Sequence, residues 1–200
     1  MKIWSARVVS NGMTFTLPAD RMAEAEVALR LAFHLLRAPG SAGRAQVAID
    51  GAQIKVHGTE VFPLPAFLEA EGWKQVEESG KNPWQGVYKK DSLELDVRAQ
   101  SGVGDVVCRV GGKTVRAECK KGPLVLKKGS PEYPLIREAL GQLLTIEEVR
   151  EGDVLVVAVP LTDQFRTLAA RWNSRPLVRR AKIRIVLVGR DGGVEGLELA

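Results

Sequence analysis

Histidine and cysteine are scarce in this chain, with two of each in 200 residues. Cys108 and Cys119 are too few for a disulfide framework and form no CxxC, so a reducing cytoplasm is the expected compartment. His34 falls on a largely apolar helical stretch and His57 ends a strand. Neither has a second histidine or cysteine at ligand spacing, so both read as structural. Long hydrophobic runs are missing too. The longest, "VLVVAVPL" from Val154 to Leu161, is far too short to span a bilayer. The opening "MKIWSARVV" carries a serine and an arginine where an export signal needs an unbroken apolar run. No membrane association is expected. G-x-G-x-x-G, Walker and G-x-S-x-G signatures are also absent, which leaves a small-molecule α/β enzyme with little support.

Acidic residues are missing from one region in particular. Between Gln164 and Arg190 there are eight basic residues and no acid. They are Arg166, Arg171, Arg175, Arg179, Arg180, Lys182, Arg184 and Arg190. The chain as a whole has a net charge of +5, and the remainder without this stretch has a net charge of −3. One segment therefore makes the protein basic. Lys120, Lys121, Lys127 and Lys128 form a smaller concentration. Clustered basic residues are the footprint of a phosphate-backbone binder, although charge runs are commonly just solvated surfaces.

The length suits one α/β domain, or a core with a small addition. Residues 1–60 read as a small α+β unit. A hairpin turns at Asn11-Gly12, a helix covers "ADRMAEAEVALRLAFHLLRAPG", and a second hairpin turns at Asp50-Gly51. This unit leaves three roles open: substrate recognition, homodimer formation, or packing on the core. Residues 61–200 form the expected core. A short helix begins at Pro65, and "GWKQVEE", "QGVYKK" and "SLELDVRAQ" are strands. "SPEYPLIREALGQLLTI" is a helix, "DVLVVAVPL" a strand buried on both faces, "TDQFRTLAARW" a helix and "AKIRIVLVG" a last long strand. The fold class is therefore α/β, a mixed sheet flanked by helices.

The stretch "GDVVCRVGGKTVRAECKKG" carries the chemistry. Val106, Cys108 and Val110 alternate with Asp105, Val107 and Arg109, and Val115, Ala117 and Cys119 alternate with Thr114, Arg116 and Glu118. Gly111-Gly112 between them makes a type I′ or II′ hairpin. That register pairs Val110 with Lys113 and sets Asp105 opposite Glu118, with Cys119 across from Gly104 rather than Cys108. Like charges directly opposed on a sheet are destabilising. Two carboxylates side by side, with the Lys120 ammonium two residues on, suit a divalent cation with water beside it.

An isolated strand Asp, a short turn, an apolar Glu-x-Lys, then a helix and a buried strand resembles the PD-(D/E)XK nuclease superfamily, which includes Holliday-junction resolvases and many restriction endonucleases. The matching residues are Asp105 and Glu118-Cys119-Lys120, and the likeness covers roughly residues 65 to 161. It implies a restriction-endonuclease-like core with the small N-terminal unit added. It implies Mg²⁺ or Mn²⁺ held by Asp105, Glu118 and the backbone carbonyl of Cys119, with Lys120 catalytic. The substrate would be DNA. Gln142 is followed four residues later by Ile146 rather than tyrosine, which favours an endonuclease over the exonuclease-like branch. For the family's first-helix glutamate, Glu69 is the first choice, with Glu60, Glu24 and Glu26 as alternatives. Asp96 replaces Asp105 if the sheet register differs. Arg109 and Arg116 are candidates for flanking phosphates, and Arg171, Arg175, Arg179 and Arg180 for a wider nucleic-acid surface. The rival reading is a binding or assembly module without catalysis, working through that basic segment with Trp172 as a stacking residue.

Overall fold

The computed structural model describes residues 5–10, 13–100, 103–126, 129 and 132–199. The first described elements form a hairpin, β1 (Ser5–Ser10) and β2 (Met13–Pro18), in which Ser10 lies opposite Met13. The Asn11-Gly12 turn expected there falls outside the described residues. A two-residue strand, β3 (Arg21–Met22), leads into α1 (Glu24–Arg37). Every residue of α1 from Ala25 to Phe33 is buried, so the helix is covered on all sides. β4 (Ser41–Ala48) and the single-turn α2 (Gly51–Ile54) follow. The hairpin expected at Asp50-Gly51 does not form. Asp50 caps α2 instead, its Oδ1 accepting from Ala52 N at 2.8 Å.

β5 (Lys55–Val56) and β6 (Thr59–Glu60) make a small ribbon, and α3 (Leu64–Ala70) has Pro65 in its first turn. A meander of β7 (Lys74–Glu78), β8 (Gly86–Lys90) and β9 (Leu93–Arg98) comes next. The hairpin of β10 (Val106–Val110) and β11 (Lys113–Cys119) is followed by β12 (Gly122–Pro123), which pairs back to β3. The rest is α4 (Glu132–Leu143), β13 (Asp153–Pro160), α5 (Asp163–Asn173), α6 (Pro176–Arg180), β14 (Ile183–Val188) and β15 (Val194–Glu195).

Nine of these strands form one mixed sheet in the order β15-β14-β13-β11-β10-β4-β9-β8-β7. β11, β13 and β14 run parallel, as do β4 and β9, and the other neighbours are antiparallel. β4 lies between β10 and β9, and α1 packs across β4, β10, β11, β13 and β14. The boundary expected at residue 60 therefore does not divide the sheet. On the other face α4 covers β11 and β13, and α5 covers β14. The β10–β11 register is the one read from the sequence, with Val110 opposite Lys113 and Val106 opposite Ala117. Both turn glycines have positive φ, 57° at Gly111 and 78° at Gly112, as a type I′ turn demands.

A buried ion network joins the first helix to the end of β14. Glu26 is 0% exposed, yet its carboxylate faces two guanidinium groups. Arg190 grips it bidentately, with Nε to Oε1 at 2.8 Å and Nη2 to Oε2 at 2.9 Å. Arg30, one turn along α1, adds Nε to Oε1 at 3.1 Å. Arg190 also donates to the carbonyls of Pro18 and Arg21. Removing Arg190 strands most of a buried charge, so Arg190→Met is expected to lower stability by about 3 kcal/mol. The double variant Glu26→Met/Arg190→Met should lose less than Arg190→Met alone, which chemical denaturation of the variants reads directly.

Candidate functional site

The site forms where the chain enters β10 and leaves β11. Gly104 has φ of +115°, and a Cβ there would sit 3.0 Å from the Ala117 carbonyl oxygen, so only glycine lets the chain pass this close to β11. Asp105 follows and closes the end of the sheet. Its carbonyl accepts from Ala48 N of β4 at 2.8 Å, and its side-chain Oδ2 accepts from Cys119 N of β11 at 2.8 Å. The side chain thus takes the rung that the backbone ladder would have filled. Because Cys119 N–H faces Asp105, the Cys119 carbonyl on the same strand edge faces that side too. The Cys119 thiol points into the core, where burial, and then the neighbouring acids, hold it well above its ordinary range.

Glu118 lies beside Asp105, as the register implies. Burial pushes the Asp105 carboxyl up to about 6; the Cys119 N–H and Lys120 work against that rise, and Glu24 adds to it. Burial, then the Asp105 charge, push Glu118 up to about 7, with Lys120 opposing and Glu24 again adding. Lys120 is 4% exposed at the end of β11. Its Nζ reaches Glu24 of α1 at 3.6 Å and Glu138 of α4 at 3.2 Å. Burial alone would lower the Lys120 pKa, but Glu24, Glu138 and Asp105 outweigh it and the group is held above its usual range. Four carboxylates thus act on one ammonium.

Of the candidate helix acids, Glu24 lies beside Lys120, and Glu69, the first choice from the sequence, does not. Glu24 is the first residue of α1, with Oε1 accepting from Gln53 Nε2 at 3.1 Å and Oε2 from Lys121 N at 3.4 Å. Glu69 is exposed on α3, beside Gly72, Trp73 and Tyr88, away from the acids. Asp96 is likewise elsewhere: it lies on β9, two strands from β10, where Arg98 binds it at 2.6 Å. Glu138 had no place among the sequence candidates. Its only signal is a charged position on the helix that follows the Glu-x-Lys triplet, and no spacing rule marks it.

The arginines separate into three groups. Arg116 is not free to meet phosphate: its Nε is bound to Asp153 Oδ2 at 3.0 Å, and both side chains are largely buried. Arg109 is exposed on the same face as Glu118, about 13 Å along β10 from Asp105. Within the acid-free stretch, Arg166 is bound by Asp163 and Glu195, and Arg190 by Glu26. Arg171, Arg175, Arg179 and Arg180 are exposed and form no ion pair among the described residues. They sit at the other end of the sheet. β14 starts beside Leu155 and ends beside Pro160, whereas Cys119 pairs with Ala158, so the α5–α6 corner lies at least about 10 Å below the acids along the strands. Trp172 is half-buried edge-on to Tyr133, with ring centroids 5.3 Å apart.

Among the described residues no group of three or more His, Cys, Asp or Glu side chains is gathered as a metal cage. Mg²⁺ asks for less, since it keeps several waters and is usually held by one or two carboxylates plus substrate phosphates. The donor set fits that demand: two hard carboxylates, Asp105 and Glu118, that are half-buried and repel each other. Among the described residues no helix is long and apolar enough to cross a membrane. Compared with protein-family models, with curated proteins and with solved structures, the chain matches nothing.

The raised carboxyl of Glu118 has a pH signature. The folded state binds its proton more tightly than the unfolded chain does, so this contribution to stability is full below about pH 4 and is lost as pH rises through about 7. In metal-free buffer, Glu118→Gln should gain about 1–2 kcal/mol relative to wild type between pH 5 and pH 8. Paired melts at the two pH values measure it. A gap that stays constant would show that Glu118 is not held protonated by its surroundings.

Proposed function

We propose that this protein is a Mg²⁺- or Mn²⁺-dependent nuclease that hydrolyses phosphodiester bonds of DNA, cutting internally. The observation that carries the reading is the excess of acid around Lys120. Glu24, Asp105, Glu118 and Glu138 act on one ammonium, more negative charge than a structural pair needs. The succession of Asp105, turn, Glu118-x-Lys120, α4 and the parallel, buried β13 agrees with the PD-(D/E)XK resemblance.

Asp105, Glu118 and the Cys119 carbonyl would hold the cation. When bound, such an ion neutralises charge at the scissile phosphate and lowers the pKa of a bound water. The chain's own residues do the rest. Asp105 is oriented by the Cys119 N–H. Glu24, held by Gln53 and the Lys121 amide, keeps Lys120 protonated and aimed at the acids. Lys120 orients the attacking water or stabilises the charge that builds on the phosphate. Glu138, the most exposed of the four acids, is the partner that an incoming phosphate replaces at the Lys120 ammonium. The free, buried cysteines suit the expected reducing cytoplasm. A homodimer would bring two such clusters into one particle, which light scattering measures.

The rival reading, a binding module without catalysis, draws on the exposed arginines of α5 and α6. Lying at the far end of the sheet, they could hold a nucleic acid without engaging the acids at all. Cleavage of supercoiled plasmid and labelled oligonucleotides in Mg²⁺, Mn²⁺ or EDTA separates the two. Glu118→Ala and Lys120→Ala are expected to lower metal-dependent cutting by about 100-fold or more. Glu69→Ala should cut like wild type. No cutting of any substrate, with DNA still shifted in EDTA and released by charge reversal at Arg171, Arg175, Arg179 and Arg180, would support the binding module instead.

A further inference from the structure

The outer face of α4 leads from the acidic cluster toward the α5–α6 corner. Glu138, at the Lys120 ammonium, is on α4, and its neighbour Arg137 is exposed with no ion pair among the described residues. Tyr133 lies four residues before Arg137, so the two share one face of the helix, about 6 Å apart along its axis. Tyr133 is 47% exposed, and its ring meets Trp172 of α5 edge-on. From there a line of cations follows. Arg171 adjoins Trp172, Arg175 N donates to the Trp172 carbonyl, Arg179 N to the Arg175 carbonyl and Lys182 N to the Arg179 carbonyl. Arg175, Arg179 and Lys182 therefore stand about one helical turn apart.

Lys182 is the least expected of them. It stands just past α6 with φ of +56°, at the place where a helix end usually carries glycine. The other two non-glycine residues with positive φ among the described residues are His57 and Asp91, types that enter this region more readily than lysine. A strained, exposed lysine at a place that glycine would fill without strain points to use of its charge. Arg137, Arg171, Arg175, Arg179, Arg180 and Lys182 are all exposed and form no ion pair among the described residues. The acids beside Arg179 and Lys182 are Asp153, already bound by Arg116, and Glu198. Such an excess of spaced cations suits an extended polyanion rather than one phosphate.

Tyr133 narrows the class further. An exposed ring in a line of cations offers a stacking face to an unpaired base, whichever base it is. A duplex keeps its bases stacked on one another and has no use for the ring. Trp172 is half-buried, so it braces Tyr133 rather than meeting a base itself. Resting on the nuclease reading, we infer that a single strand of DNA runs from the acids over α4 to the α5–α6 corner. One base stacks on Tyr133, and the phosphates on either side lie against Arg137 and the cations of α5 and α6. The substrate is therefore DNA with a single-stranded segment beside the cut.

The test is fluorescence anisotropy of a labelled DNA strand, alone and in a duplex, with the whole chain in EDTA. Wild type should bind the single strand more tightly than the duplex. Tyr133→Ala should weaken single-strand binding about tenfold and leave duplex binding unchanged, whereas Tyr133→Phe should bind like wild type. Lys182→Gly should lower the slope of log affinity against log salt by about 0.7 for the single strand, while melting no lower than wild type. That variant keeps the inference testable even if Tyr133→Ala loosens α4. Tighter binding of the duplex, an equal effect of Tyr133→Ala on both forms, or an unchanged salt slope in Lys182→Gly overturns it. The two readings fail separately. Metal-dependent cutting with affinity indifferent to Tyr133 and Lys182 would leave the nuclease without this track. Single-strand binding that depends on both residues, with no cutting, would keep the track and remove the nuclease.

Discussion

The end of the sheet depends on Asp105. Three strands meet there. The Asp105 carbonyl holds β4 through Ala48, its peptide unit opens β10, and its carboxylate holds β11 through Cys119. Hydrogen bonds to a charged acceptor contribute roughly 1.5–3 kcal/mol, more than neutral ones, and this one is partly buried. The same burial raises the carboxyl to about 6. A group used as a staple is thus also one whose charge is costly to maintain, and the cost falls wherever a cation or proton can approach.

Lys120 gathers what Asp105 anchors. It sits at the end of β11, where a side chain can meet both layers of helices, and it reaches Glu24 from one face and Glu138 from the other. The order of the sheet makes this place possible. β11 is followed by the parallel strand β13, and Pro160 ends that strand where Lys120 emerges.

Charge is segregated along the strands as well as along the sequence. The acids cluster where β11 and β13 end, and the unpaired arginines lie at the α5–α6 corner where β14 begins. Arg190, although part of the same basic stretch, is drawn to the acidic end and consumed by Glu26. Its role is to join α1 to the sheet, so a count of basic residues overstates the surface available to a polyanion.

Much of this was legible in the linear pattern. The period-2 alternation and the Gly111-Gly112 turn set the β10–β11 register, because a one-residue slip would turn Cys108 and Val115 out of the core. The pairing of Asp105 with Glu118-x-Lys120 follows from that register alone, since local hydrogen bonding and alternation specify it. What lay beyond such rules were contacts between distant segments. Asp50 began a helical turn rather than a hairpin because β4 found its partners in β9 and β10, forty or more residues away. Glu24 reached the site, and Glu69 did not, because β3 pairs with β12 and draws the start of α1 toward Lys120. Arg116 gained Asp153 through packing against a segment that no local periodicity names. Short-range geometry is written in neighbouring residues. Which buried charge meets which partner is settled by the free energy of the whole packed chain.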